Sequence, residues 1–563
     1  MRILFFVLSL CILFVPDQAL AQKRKKRKKA NTEAQWEKDF FDNLSTRLSA
    51  HVHILANDEM EGRRTGTRGE QMAAHYISTK FSENGITAMG ENKSWYQVFE
   101  VNEGREFQSG STLQLNDKHL AAGVDFFPYH NSAAGKVEAL VSPVLKEEGM
   151  PWFLDLKEEL EKNRDNPHYD INNYIVQKTT EMQHKKASAV VLYNSSSIND
   201  NLKFDPRAHA TLISIPVIYI HKTAVNWLKK ESEPIDLKLN LALGEKKRKG
   251  TNVVGYINNN ASSTIIIGAH YDHLGYGEDH NSRYTGKGLQ IHNGADDNAS
   301  GTASLIELSK LLKNKGPVKF NYVFVAFSGE ELGLYGSKHF ADNPGIDLSG
   351  VNYMLNMDMV GRLNDSTNAL TIGGYGTSPY WGEMFSTLSV NPISFKFDSS
   401  GTGPSDHTSF YRKNIPVLFF FTGTHADYHK PEDDAEKLNY KGTGSIVRLI
   451  YNIIGKTAEK DKLAFTKTRE AAAGGSQTRF TVSLGIMPDY TFSGNGVRID
   501  GVSEGKTAQK LGIQAGDVLV QMGDINISSV QSYMQALSKF KKGDATTVKI
   551  KRGEKEIVYN VNF

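Results

Sequence analysis

The chain has 563 residues, 39% of them hydrophobic and 23% charged, a composition that excludes a disordered or fibrous protein and suits several domains with cores of their own. The net charge of +3 comes from one run, Lys23-Arg24-Lys25-Lys26-Arg27-Lys28-Lys29, which leaves the rest slightly acidic and excludes a general nucleic-acid binder. Cys11 is the single cysteine, so the body of the protein has no disulfide framework, zinc ribbon or cysteine nucleophile.

In chain order, Arg2, the apolar run 3–15 and Ala19-Leu20-Ala21 have the layout of a secretory signal over residues 1–21, which implies a secreted or periplasmic protein cleaved near Ala21. The run is too short to span a bilayer, and no later stretch suits stable membrane insertion. Residues 22–34 read as a basic tail. Residues 35–106 combine a helical pattern over 71–81 with the stretch Glu61-Gly62-Arg63-Arg64-Thr65-Gly66. Residues 107–248 read as a polar insert with strands over 136–141, 189–193 and 215–220 and a charged helix over 154–162.

Residues 249–458 alternate apolar strands (265–267, 322–327, 353–357 and 417–421) with helices, one of which carries Leu305, Ile306, Leu308, Leu311 and Leu312 on a single stripe. The expected fold class is therefore α/β, with a mixed, mainly parallel central sheet and helices on both faces. A small-residue linker, Ala471-Ala472-Ala473-Gly474-Gly475-Ser476 within 459–478, leads to a last module over 479–563.

Polar residues collect where the strands end. The first strand runs into His270-Tyr271-Asp272, and a helix start follows at Gly294-Ala295-Asp296-Asp297-Asn298-Ala299-Ser300-Gly301. The later strands end in Ser328-Gly329-Glu330-Glu331, Asn356-Met357-Asp358 and, a few residues on, Asp427-Tyr428-His429. Ligand sites of open parallel sheets lie outside the carboxyl ends of the strands, so His270, Asp297, Glu331, Asp358 and His429 are expected in one crevice. Two imidazoles and three carboxylates suit zinc or another divalent metal, and one shared carboxylate suits a dinuclear site. Glu330, beside a ligand, is placed to act as a base, and Asp272, two residues after His270, to orient that imidazole.

This order of motifs, above all Gly329-Glu330-Glu331-Leu332-Gly333-Leu334-Tyr335-Gly336-Ser337, resembles metallopeptidase family 28, which includes di-zinc aminopeptidases and glutamate carboxypeptidases. The resemblance implies a zinc aminopeptidase-like fold and two Zn2+ per chain, other divalent metals remaining open. His270, Asp297 and Asp358 would hold one metal, and Asp297, Glu331 and His429 the other. Glu330 would be general base and Tyr428 a donor to the developing oxyanion. Position relative to Ser300-Gly301, not chemistry, selects Asp297 over Asp296 as the bridge; Ser405-Asp406-His407 matches a further family segment and receives no role. The insert resembles a protease-associated domain. The last module resembles a PDZ domain, a small β-barrel-like fold whose loop Leu484, Gly485, Ile486 would take a C-terminal peptide ligand, with a groove helix over 530–540. The leading expectation is an aminopeptidase acting on peptides with a free N-terminus. A carboxypeptidase or dipeptidase of the same fold, or a non-catalytic PDZ-based peptide-binding protein, stays open.

Overall fold

The alternation of side chains along the apolar strands sets the layering. Ile265 and Ile267 pack in one core and Ile266 in another; so do Tyr322, Phe324 and Ala326 against Val323, Val325 and Phe327. Both faces of the sheet are therefore covered, as its continuous hydrophobic runs require. The computed structural model describes residues 35–164, 169–206, 212–225, 234–279, 281–468, 482–488, 494–502, 506–528, 530–537, 539–541 and 543–563. The expected signal peptide, basic tail and small-residue run 471–476 lie outside the described residues.

The central sheet has nine strands: β1 (Thr87–Ala88), β2 (Tyr96–Phe107), β3 (Leu243–Ile257), β4 (Ser263–His270), β5 (Phe320–Phe327), β6 (Val351–Met357), β7 (Ala369–Gly373), β8 (Ser394–Phe397) and β9 (Val417–Phe421). Their order is β1-β3-β5-β4-β6-β9-β7-β8, with β2 also paired to β3. Strands β5, β4, β6 and β9 are mutually parallel, and β7 and β8 form a parallel pair. The β1–β3, β2–β3, β3–β5 and β9–β7 pairings are antiparallel. The sheet is thus mixed, with a parallel block at its centre and antiparallel pairings where its flanks return as ribbons. Helices Leu44–Leu55, Arg68–Glu83, Gly301–Lys315 and Tyr440–Thr457 cover one face, and Tyr335–Asp342 and His407–Tyr411 the other. Among the described residues no helix is long and apolar enough to cross a membrane.

The ribbon β2–β3 leads out of the sheet into the insert. There, an antiparallel sheet (order Lys118–Leu120, Thr112–Leu115, Ile235–Leu241, Gly135–Val141) shares a core with a mixed one (order Phe126–Pro128, Val217–Ile220, Ala189–Tyr193, Pro151–Asp155). Helix Ile171–His184, absent from the sequence reading, covers the second sheet's other face through Ile175 and Met182. The charged helix expected over 154–162 begins instead at Lys157. Leu154 and Asp155 belong to an apolar strand paired with Ala189–Tyr193, and the Asp155 carboxylate caps the helix by accepting from the Lys157 N–H.

The last module has strands in the order Ile486–Pro488, Val497–Val502, Val518–Met522, Ala545–Arg552, Lys555–Asn562, with Ile525–Asn526 beside the third. Among the described residues this sheet is open, not a closed barrel. Asp517 is buried and held by Arg552 through two 2.7 Å contacts.

Candidate active site

Each central strand delivers its acidic or imidazole group as it leaves the sheet. His270 ends β4, and Asp358 directly follows β6. Glu330 and Glu331 follow β5 by a short turn. Asp297 lies in a π-type turn, Ala295–Ser300, that opens helix Gly301–Lys315. Gly294 enters that turn at φ +56°, where a Cβ would fall 2.2 Å from the Asp297 carbonyl and 2.4 Å from the His273 ring, so only glycine fits.

The five expected ligands converge. His270 Nε2 lies 3.2 Å from Asp358 Oδ1 and 3.4 Å from Asp297 Oδ1. His429 Nε2 lies 3.3 Å from Asp297 Oδ2 and 3.2 Å from Glu331 Oε2. Asp297 thus offers one oxygen to each half. Glu330 Oε2 is 3.9 Å from His270 Nε2.

The imidazole tautomers make this arrangement informative. His270 Nδ1 faces the main-chain carbonyl of Asp272 at 3.2 Å, and His429 Nδ1 faces that of Asn281 at 2.9 Å. In the neutral ring, donation from Nδ1 leaves each Nε2 as a lone pair aimed at carboxylate oxygens, acceptor against acceptor. Accordingly, buried His270 Nε2 and Asp358 Oδ1 have no hydrogen-bond partner despite their approach. A cation in each half relieves that repulsion, so these residues fit a pair of divalent ions such as zinc.

In the absence of a metal, a proton on the imidazole meets the same demand for positive charge. Burial would lower the His270 pKa, but Asp358, Glu330 and Asp297 raise it well above the usual imidazole value. Burial likewise opposes ionisation of Glu331, yet His429 and His273 hold it well below the carboxylate range. Glu330 is pushed well above that range by burial, against the pull of His270 and with the help of Asp358, Glu331 and Asp406.

Asp272 does more than orient a ring. Its Oδ1 lies 3.7 Å from His270 Nδ1, farther than its own carbonyl, and accepts from the Glu330 N–H at 3.2 Å. Its Oδ2 accepts from the Thr65 hydroxyl at 2.9 Å. The Tyr428 ring stacks on His429 with centroids 3.9 Å apart, under the Arg283 guanidinium at 4.8 Å. Burial and then the charges of Asp297, Glu331, Glu330 and Asp358 raise the Tyr428 hydroxyl, keeping it protonated as a donor.

The neighbouring carboxylates Asp296 and Asp297 point to different partners. Asp296 Oδ1 turns away to accept from Gly361 N at 2.6 Å, and its Oδ2 lies 3.3 Å from His425 Nε2. Asp406, from the segment given no role, is fully buried near Glu330 and Asp358, and burial pushes its carboxyl up to about 7; His407 stacks on Phe419 with centroids 4.5 Å apart.

Several residues escaped the sequence reading. His273 donates to Glu331 Oε1 at 2.8 Å; its signal was the second histidine of His270-Tyr271-Asp272-His273. Asp433 Oδ2 accepts from the Asp296 and Asp297 N–H groups at 2.9 and 3.0 Å, and Asn298 ties the same turn to the Met357 carbonyl. Arg63, 1% exposed, donates to the carbonyls of Tyr271, Asn293, Gly294 and Leu55, gripping the segments next to His270 and Asp297. No local pattern announces the last three, Asp433, Asn298 and Arg63.

Residues 252–454 match peptidase family M28 and residues 465–563 match the PDZ domain. Over 303 residues the chain is 27% identical to the aminopeptidase YwaD of Bacillus subtilis, covering 52% of this chain and 61% of that protein. It is 26% identical to the probable lipoprotein aminopeptidase LpqL of Mycobacterium tuberculosis, covering 44% of this chain and 49% of that protein. The chain therefore spans between about half and two thirds of the length of these curated relatives. The solved zinc aminopeptidase of B. subtilis aligns over 75% of this chain and 98% of its own, with 19% identity and a TM-score of 0.40.

Proposed function

From a chain that carries a peptidase family M28 domain and a PDZ domain, we propose a metal-dependent aminopeptidase that removes the N-terminal residue of peptides. The observation that carries this reading is the sharing of Asp297 between two imidazole–carboxylate groups, with the Glu330 carboxylate alongside. His270, Asp297 and Asp358 would hold one Zn2+, and Asp297, Glu331 and His429 the second. Zinc held there supplies Lewis acidity toward the scissile carbonyl and the attacking water.

The chain's own groups account for the proton traffic. Glu330, its N–H anchored on Asp272, accepts the proton of the attacking water and returns it to the leaving amine. Tyr428, protonated and stacked on His429, donates to the oxygen that becomes negative in the transition state. Asp272 and the Asn281 carbonyl hold the two imidazoles in the tautomer that presents Nε2. The aminopeptidase naming of the relatives supports cleavage from the N-terminus.

The remaining assignments belong to the same proposal: export through the signal over 1–21, a basic tail over 22–34, and peptidase parts over 35–106 and 249–458. They also include a protease-associated-like insert over 107–248, a linker over 459–478 and a PDZ module over 479–563. In that module Gly485, at φ +77°, shapes the loop Leu484, Gly485, Ile486, beside the edge strand Ile486–Pro488 where a peptide C-terminus would dock.

The test is mass spectrometry of one peptide, free and N-acetylated, incubated with the protein and zinc. Stepwise loss of residues from the free N-terminus only, abolished by a chelator, is expected. Trimming of both peptides from the C-terminus overturns the aminopeptidase reading.

A further inference from the structure

The segment between β4 and Asp297 crosses the surface as an irregular loop, yet one of its carboxylates is almost completely withdrawn from water. The Asp279 side chain is 4% exposed and is gripped by two arginines. Arg64 reaches it through Nε at 2.8 Å and Nη2 at 3.1 Å, and Arg248 Nη2 lies 2.9 and 3.0 Å from its two oxygens. Glu103 closes the group, 3.4 Å from Arg64 and 3.2 Å from Arg248. Arg248 and Glu103 stand on β3 and β2, so the ribbon that carries the insert ends on the carboxylate that anchors this loop.

Two residues further on, the loop meets the site. The Asn281 carbonyl accepts from His429 Nδ1 at 2.9 Å, and the Asn281 amide donates to the Glu331 carbonyl at 3.2 Å. The Arg283 N–H donates to the His429 carbonyl at 2.9 Å, and its guanidinium covers Tyr428. His429 itself sits at φ +58°, a conformation a non-glycine residue keeps only when its surroundings hold it there. The Nδ1 partner of His270 is the Asp272 carbonyl, at the start of the segment and seven residues before Asp279.

We propose that the Asp279–Arg64–Arg248 clamp is a positioning device for one half of the site: through Asn281 it fixes the His429 ring and the Glu331 backbone, whereas its link to the His270 half runs through Arg248 on the Thr65 carbonyl and does not involve Asp279. Asp279 touches no reacting atom, so it is a positioning residue. A group that orients a metal-binding imidazole changes metal affinity by about ten- to a hundredfold when removed. The inference rests on the two-cation reading above.

The experiment is calorimetric zinc titration of the metal-free full chain, as wild type and as Asp279→Asn, with melting followed alongside. Wild type is expected to take up two equivalents, and Asp279→Asn to bind one of them about ten- to a hundredfold more weakly with the other unchanged. In a His429→Ala background, Asp279→Asn is expected to leave the remaining equivalent unaltered. Arg64→Gln, which keeps Arg248 on the carboxylate, is expected to act in the same direction with a smaller effect, and it carries the test if Asp279→Asn does not fold. Equal weakening of both equivalents, or of neither, overturns the clamp. Fewer than two equivalents in the wild type overturns the two-cation reading beneath it.

Discussion

Arg63 offers the sharpest test of how the site is assembled. Its guanidinium is buried and spends its donors on four main-chain carbonyls: Nε on Tyr271, Nη1 on Leu55 and Asn293, Nη2 on Gly294. Burial lowers its pKa to about 10, so it remains charged at neutral pH. Arg63→Lys keeps the charge and therefore most of the desolvation cost, which isolates the geometric loss. One ammonium with three N–H groups cannot reach four acceptors spread around a planar fork. At least one carbonyl is left unpaired, and the direction of the others leaves a second weakly bonded. At roughly 1–2 kcal/mol for each buried acceptor left without a donor, the variant loses about 2–4 kcal/mol. Denaturant unfolding of metal-free wild type and variant measures this, followed by tryptophan fluorescence, to which Trp381, buried in the core beneath the sheet, contributes. Because the gripped carbonyls flank both His270 and Asp297, both zinc equivalents are expected to weaken together. A loss below about 0.5 kcal/mol would refute the reasoning, since it would mean the four bonds are dispensable or replaced.

Glu330→Gln is expected to lower kcat by a factor of about 10² to 10⁴ while leaving zinc uptake intact; retained activity removes Glu330 from the base role. A pH effect follows from Glu70, whose buried carboxyl, accepting from Ser328, Gly66 and Thr251, is pushed up to about 7. The folded value exceeds the unfolded one, so folding takes up a proton between them and stability falls as pH rises from about 4.5 to about 7. Glu70→Gln removes that slope, which can reach about 3 kcal/mol in total. Unfolding of the metal-free protein at pH 5 and pH 8 measures it, and a wild-type-minus-variant difference that does not change with pH contradicts the assignment.

The candidate site was legible because its groups follow long, continuous apolar strands. Runs such as 322–327 leave little doubt about where a strand ends, and the polar residues behind them, Glu330 and Glu331 or Asp358, stand out against that background. The central parallel block followed from the same runs. What stayed hidden depends on approach in space. Arg63 and Asp279 look in sequence like ordinary solvated charges, yet Arg63 is buried against carbonyls that include Tyr271, 208 residues away, and Asp279 against Arg248, 31 residues away. Asn281 contributes a main-chain carbonyl, for which no residue type is diagnostic. The helix boundary at Lys157 was misplaced because Leu154 fits a helical stripe and a buried strand equally well; pairing with Ala189–Tyr193 decides it. The antiparallel flanks were missed for a similar reason, since β2 and β3 are half-polar ribbons whose alternation says nothing about direction.

The central claim is that Asp297 is shared by two cations. The most direct measurement is anomalous diffraction at the zinc absorption edge from crystals of the protein grown with zinc. The account predicts two peaks, one bounded by His270 and Asp358, the other by Glu331 and His429, with Asp297 touching both. A single peak, or a second peak away from Asp297, would contradict it.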